Sequence, residues 1–202
     1  MIEHICPLKI HKNDNHKAIV RKILSNLGSK KACFIGDDTG YFFCLGRKVN
    51  NPCVSFTNQR SYMFYMLLKD DLYYFKTTFS HYMTLYDHKL LEIFEKEAFT
   101  DKDPTLICFK LFIVLNSSTN LDMELSDYVK LDIELLKDKV NKLNQFYFGK
   151  NDFYCNEVPD DVFPIIVNGD AVGDEGIIIT KQKKDYHVIA EVDDYKYYYY
   201  TL

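Results

Sequence analysis

The clearest alternation of apolar and polar positions lies in the last forty residues. Three short runs rich in β-branched and aromatic residues, 176–180, 186–192 and 196–202, are separated only by polar connectors such as Lys183-Lys184-Asp185 and Asp193-Asp194. Such residues fit the pleated, half-buried surface of a sheet, and the connectors have hairpin length, so the stretch predicts a three-stranded meander. The run 162–167 leads into it. Residues 32–57 have a similar layout: a strand at 32–36, a turn at Asp37-Asp38-Thr39-Gly40, a strand at 41–45 and another at 53–56. A Gly-Asp turn occurs in both stretches, which suggests two loosely similar halves.

Helical spacing appears elsewhere. Ile19, Val20, Ile23, Leu24 and Leu27 share one face of a helix over 15–28, with Asn13, Asp14 or Asn15 as cap and Gly28 as stop. Residues 62–68 are apolar all round and read as a buried helix, followed by a strand at 72–78. Asp87 caps a helix over 88–99, which ends before Pro104. Residues 106–115 are almost continuously apolar, as in a strand buried on both faces. From 124 to 147, Leu125, Val129, Ile133, Leu136, Val140, Leu143 and Tyr147 recur at steps of three and four, marking the longest helix. An edge strand at 2–10 and a polar loop at 149–159 complete the reading. The expectation is an α+β fold of mainly antiparallel sheets covered by three or four helices, 15–28, 88–99 and 124–147 among them. It forms one domain over 1–202, any subdivision falling near 100–105.

Composition narrows the function classes. With 47% hydrophobic and 27% charged residues and a net charge of -4, the chain offers no electrostatic case for nucleic acid or an anionic membrane. The N-terminus lacks the apolar core of a signal peptide, and no apolar run approaches the roughly 18 residues a membrane span needs. The six cysteines stand singly, without a Cys-x-x-Cys pair, and read as reduced, buried thiols of a cytoplasm, the organism's own or a host's. The 16 Tyr and 15 Phe without any Trp suggest an AT-rich genome, viral or low-GC bacterial.

Four constellations invite chemistry. His4, Cys6, His11 and His16 are potential ligands for zinc or copper, but their spacing matches no metal motif, so no metal or other cofactor is expected. His81 and His88 would share a helix face beside Asp87, the arrangement of a general acid–base pair for phosphodiester chemistry. Paired carboxylates at 37–38, 70–71, 160–161 and 193–194 are the type that holds Mg²⁺, and Pro159-Asp160 with Asp194-Tyr195-Lys196 spells the skeleton of a PD-(D/E)xK nuclease. Acidic pairs also suit turns, and an acid-x-Lys triplet arises readily by chance. Finally, Tyr197, Tyr198, Tyr199 and Tyr200 alternate across a strand, which would leave two rings partly exposed beside Asp193 and Asp194. That combination suits a partner surface apolar at its centre and basic at its rim.

The segment Phe34-Ile-Gly-Asp-Asp-Thr-Gly-Tyr-Phe-Phe-Cys-Leu45, after a helix and before Cys53-Val-Ser-Phe56, resembles the central strands of the SUKH superfamily over about residues 16–68. The resemblance implies a binding protein without catalytic residues: a toxin-neutralising immunity protein, or a viral relative that interferes with host defence. The leading expectation is thus a non-enzymatic protein, a monomer or weak homodimer, that binds and neutralises a protein partner. Tyr197–Tyr200, Asp193 and Asp194 would form its contact surface. The alternative is a phosphodiesterase or nuclease using His81 and His88 or the paired aspartates.

Overall fold

The structure, a computed structural model, describes residues 15–84, 140–141 and 148–202. The expected strands 2–10 and 106–115 and the helix 88–99 lie outside the described residues. Of the helix 124–147 only Val140 and Asn141 are described; both are helical and Val140 is buried. The chain divides into two compact units, one formed by Lys12–Thr57 with Asn151–Leu202, the other containing Asn58–Lys150.

The first unit is organised on a seven-stranded sheet: β1 (Lys31–Ile35), β2 (Cys53–Phe56), β3 (Phe153–Cys155), β4 (Val162–Val167), β5 (Glu175–Thr180), β6 (His187–Val192) and β7 (Tyr195–Thr201). Their spatial order is β3-β2-β1-β4-β5-β7-β6. The α+β class holds, but the sheet is not mainly antiparallel. The pairs among β1 to β5 are all parallel, and only β7 runs against its neighbours β5 and β6. The physical reason lies in the strands themselves. β1, β2, β4 and β5 are buried on both faces at almost every position, as strands of a covered parallel sheet are, and do not alternate as half-solvated strands do.

Two further expectations change. Residues 41–45 form not a strand but the helix α2 (Tyr41–Gly46), because parallel β1 and β2 need a crossover rather than a hairpin. The helix α1 (Asn15–Asn26), close to its expected bounds, packs against α2 at Gly46, where a Cβ atom would run into Leu24 and come within 2.9 Å of Val20. The last three strands, though present as expected, do not form a simple meander. The tyrosine-rich β7 is inserted between β5 and β6, which places its apolar rings inside and leaves the more polar β6 at the edge, with a bulge between Val188 and Ala190. β3, inside the expected loop 149–159, was not anticipated.

One face of the sheet is covered by α1 and α2, with Phe34 against Phe43 at 6.3 Å and Phe42 against Tyr195 at 5.5 Å. On the other, Ile166, Ile178, Tyr198 and Tyr200 cluster beneath Ala171 and Tyr186.

In the second unit, the expected buried helix is α3 (Gln59–Asp70), but the strand expected at 72–78 is the helix α4 (Leu72–Thr84). Asp71 explains the difference. Its carboxylate accepts the Tyr74 N–H at 3.0 Å, a helix N-cap bond. Phe75 then packs edge-on against Phe64 at 5.4 Å.

Candidate ligand site at the carboxyl edge of the sheet

The closing tyrosines alternate across the sheet as expected, yet they do not offer an exposed face. Tyr197, Tyr198 and Tyr200 are buried and Tyr199 is half-buried. The cause is cover on both sides. Tyr197 hydrogen-bonds through its hydroxyl to His16 Nδ1 at 2.7 Å, inside a box of Tyr41, Phe42 and Tyr195. Tyr200 donates to the Val172 carbonyl at 2.6 Å and accepts the Val172 N–H at 3.1 Å. Tyr199 donates to Glu175 at 3.1 Å. Asp193 and Asp194 are exposed in the β6–β7 turn; Asp193 lies 3.8 Å from His16 Nε2 and Asp194 3.7 Å from Lys181. Three of the four expected contact rings are therefore core.

The sheet order points to a different place. β1 has β2 on one side and β4 on the other, so the chain winds outward from β1 in one direction and resumes at β4 in the other. At such a topological switch point a crevice opens beyond the carboxyl ends of the strands, where open parallel sheets bind their ligands. The segment that fills this position is the loop Gly36-Asp37-Asp38-Thr39-Gly40.

Its geometry depends on its two glycines. Gly36 has φ +74° and sits so close to β4 that a Cβ atom would lie 3.1 Å from the Val167 carbonyl oxygen. Gly40, at φ +65°, turns the chain into α2. Between them the two carboxylates are held apart by different partners. Asp38 points across to the end of β2, where it accepts the Thr57 backbone N–H at 2.7 Å and the Thr57 hydroxyl. Asp37 turns inward and is 1% exposed. It accepts the Phe43 N–H at 2.8 Å and the Thr39 hydroxyl at 3.4 Å, closing the loop onto α2.

Burial pushes the Asp37 carboxyl up to about 7, and the charge of Asp38 adds to the rise, while the bonds from Phe43, Thr39 and Tyr41 oppose it. The Cys155 thiol at the end of β3 is also raised, by burial first and then by Asp38 and Glu157. Asp170, just beyond β4, is held low by its 2.6 Å bond to Lys184. Among the described residues no three His, Cys, Asp or Glu side chains converge to hold a metal ion.

Neither a protein-family model nor a curated protein matches the chain.

The other sequence candidates form no cluster within the sheet unit among the described residues. His4, Cys6, His11 and His88 lie outside the described residues, His16 is a core residue bonded to Tyr197, and His81 lies on α4. Asp70 and Asp71 stand at the α3–α4 junction. Asp160 and Asp161 precede β4, at the opposite edge of the sheet from Asp37 and Asp38, so Asp160 does not meet Asp194, which precedes β7 at the carboxyl edge. Lys196 of the nuclease skeleton pairs with Glu191 at 3.1 Å. Thr57 has no place in the sequence reading, and the Gly36–Gly40 spacing supports there only a turn between strands and the SUKH resemblance, because the loop reads as a hairpin turn until the parallel pairing of β1 and β2 is known.

Proposed function

We propose that the sheet unit binds a nucleoside ligand of neutral or positive charge, S-adenosylmethionine being the type, across the carboxyl ends of β1 and β4. The observation that carries this reading is the glycine-bounded loop at the switch point, with Asp38 anchored on Thr57. The order β3-β2-β1-β4-β5 is that of doubly wound nucleotide-binding sheets, in which a glycine loop follows the first strand and an acidic residue about 20 positions later receives a ribose hydroxyl. Thr57 stands at that later position here, and Asp38 brings a carboxylate to it.

Charge selects among nucleosides. A pyrophosphate on this loop would face the Asp38 carboxylate, while Asp37 is turned inward. A pair of like unit charges about 5 Å apart, at an effective dielectric constant near 20, costs roughly 3 kcal/mol, and a sulfonium cation gains a similar amount. The loop therefore disfavours dinucleotides and nucleoside triphosphates. The chemistry served by a bound sulfonium nucleoside is methyl transfer to a nucleophile presented at the same edge.

Thermal-shift and calorimetric titration with S-adenosylmethionine, S-adenosylhomocysteine, NAD and ATP tests the proposal. The two sulfur nucleosides should bind and stabilise the fold while NAD and ATP do not, and Asp38→Ala should weaken binding at least about tenfold. Absence of binding by both sulfur nucleosides at about 1 mM, or tighter binding of ATP, refutes it.

A further inference from the structure

At the opposite edge of the sheet unit lies an open cleft of about 760 Å³, bounded by the start of β4, the β4–β5 connection and the end of β7. Its volume is within the range of specific binding sites, roughly 300–1,000 Å³. Three of the large apolar side chains that stand exposed in the described residues, Val158, Val172 and Leu202, line this one cleft at 44%, 48% and 76% exposure. Scattered exposed apolar residues need no explanation, whereas their convergence on one concave surface marks a place where something docks.

The rim has a sign. Asp161 and Asp174 stand exposed on it, while its one lysine, Lys30, is bonded to Glu175 at 2.5 Å and so adds no net charge. The backbone beneath is fixed: Leu202 N–H donates to the Asp174 carbonyl at 2.8 Å, and Val172 is clamped by Tyr200. An occupant complementary to this surface has an apolar side chain at its centre and cations at its edges. We infer that the cleft captures an extended segment of a partner protein that carries an apolar residue flanked by lysine or arginine. Such capture is independent of the nucleoside site and is the kind of contact a partner-neutralising protein uses.

Fluorescence polarisation with the full chain and three labelled peptides decides the matter, each peptide having the same central leucine flanked by lysine, by glutamate or by serine. The lysine peptide should bind at least tenfold more tightly than the other two. Val172→Asn should reduce its affinity at least tenfold with an unchanged circular dichroism spectrum. The double variant Asp161→Lys with Asp174→Lys should transfer the preference to the glutamate peptide. Equal binding of all three peptides, no binding up to about 1 mM, or an unaffected Val172→Asn variant overturns the inference. So does a dimer, seen by light scattering and lost in Val172→Asn, because the occupant would then be a second copy of the chain.

Discussion

Asp37 makes the stability of the sheet unit dependent on pH in an unusual direction. Burial raises its carboxyl to about 7, against the ordinary carboxylate range near 4. Between those two values the folded chain holds a proton that the unfolded chain has released, so the folded state binds more protons and stability falls as pH rises through the window. At about 1.4 kcal/mol per unit, raising the pH from 5 to 8 should cost about 3 kcal/mol from this group alone. Asp37→Asn keeps a side-chain oxygen to accept the Phe43 N–H but carries no charge at any pH. Urea denaturation of both proteins at pH 5, 6, 7 and 8 isolates the effect, because the other titrating groups are common to both and cancel in the difference. The variant should already be about 1.5–2 kcal/mol more stable than wild type at pH 5, and its advantage should grow by about 3 kcal/mol by pH 8. A difference that stays constant within about 0.5 kcal/mol across the series would show that Asp37 is ionised throughout, its bonds to Phe43, Thr39 and Tyr41 outweighing its burial.

Two other perturbations examine the packing. Gly46→Ala should destabilise by about 1–3 kcal/mol in the same assay, since the new methyl group meets Leu24 and Val20 where α1 crosses α2. Tyr197→Phe removes the hydroxyl bonded to buried His16 and should cost about 1–3 kcal/mol, whereas Tyr199→Phe, whose bond to Glu175 is partly solvated, should cost less than about 1 kcal/mol. Equal losses at the two tyrosines would mean that the His16 contact contributes nothing beyond ordinary strand packing.

Most of the strands are legible in the sequence, because β-branched and aromatic runs report a pleated, buried environment directly; β3, three residues inside a polar stretch, is not. Pairing is less legible. The run 162–167 is apolar without alternation, the mark of a strand covered on both faces, and read strictly it argues for parallel neighbours. Tyr41-Phe42-Phe43 misled for the opposite reason: its residues favour strands, but three consecutive buried side chains fit a short helix lying on a sheet. Asp71 is a helix-cap residue type at the right place to start α4, so that element is legible from local sequence. The exposure of the tyrosines depended on what covers the second face, namely the segment around Ala171 and Val172, which carries no local signature of doing so. The switch-point site was hidden on principle, since it exists only through strand order, and strand order joins segments more than a hundred positions apart.

That separation has a kinetic consequence. Lys31 of β1 is paired with Val162 of β4, and His16 meets Tyr197 across 181 positions. Lengthening a closed loop costs little in equilibrium free energy, only about 0.6 kcal/mol per doubling, but the rate at which a fold forms falls as its contacts become more distant in sequence. During synthesis α1, β1, α2 and β2 emerge first, with the apolar flank of β1 that will receive β4 still open and His16 still without the hydroxyl that will face it. β1 is completed only when β4 has left the ribosome, and the His16 contact only when β7 has, so any pause before β4 prolongs the life of an exposed parallel-strand edge.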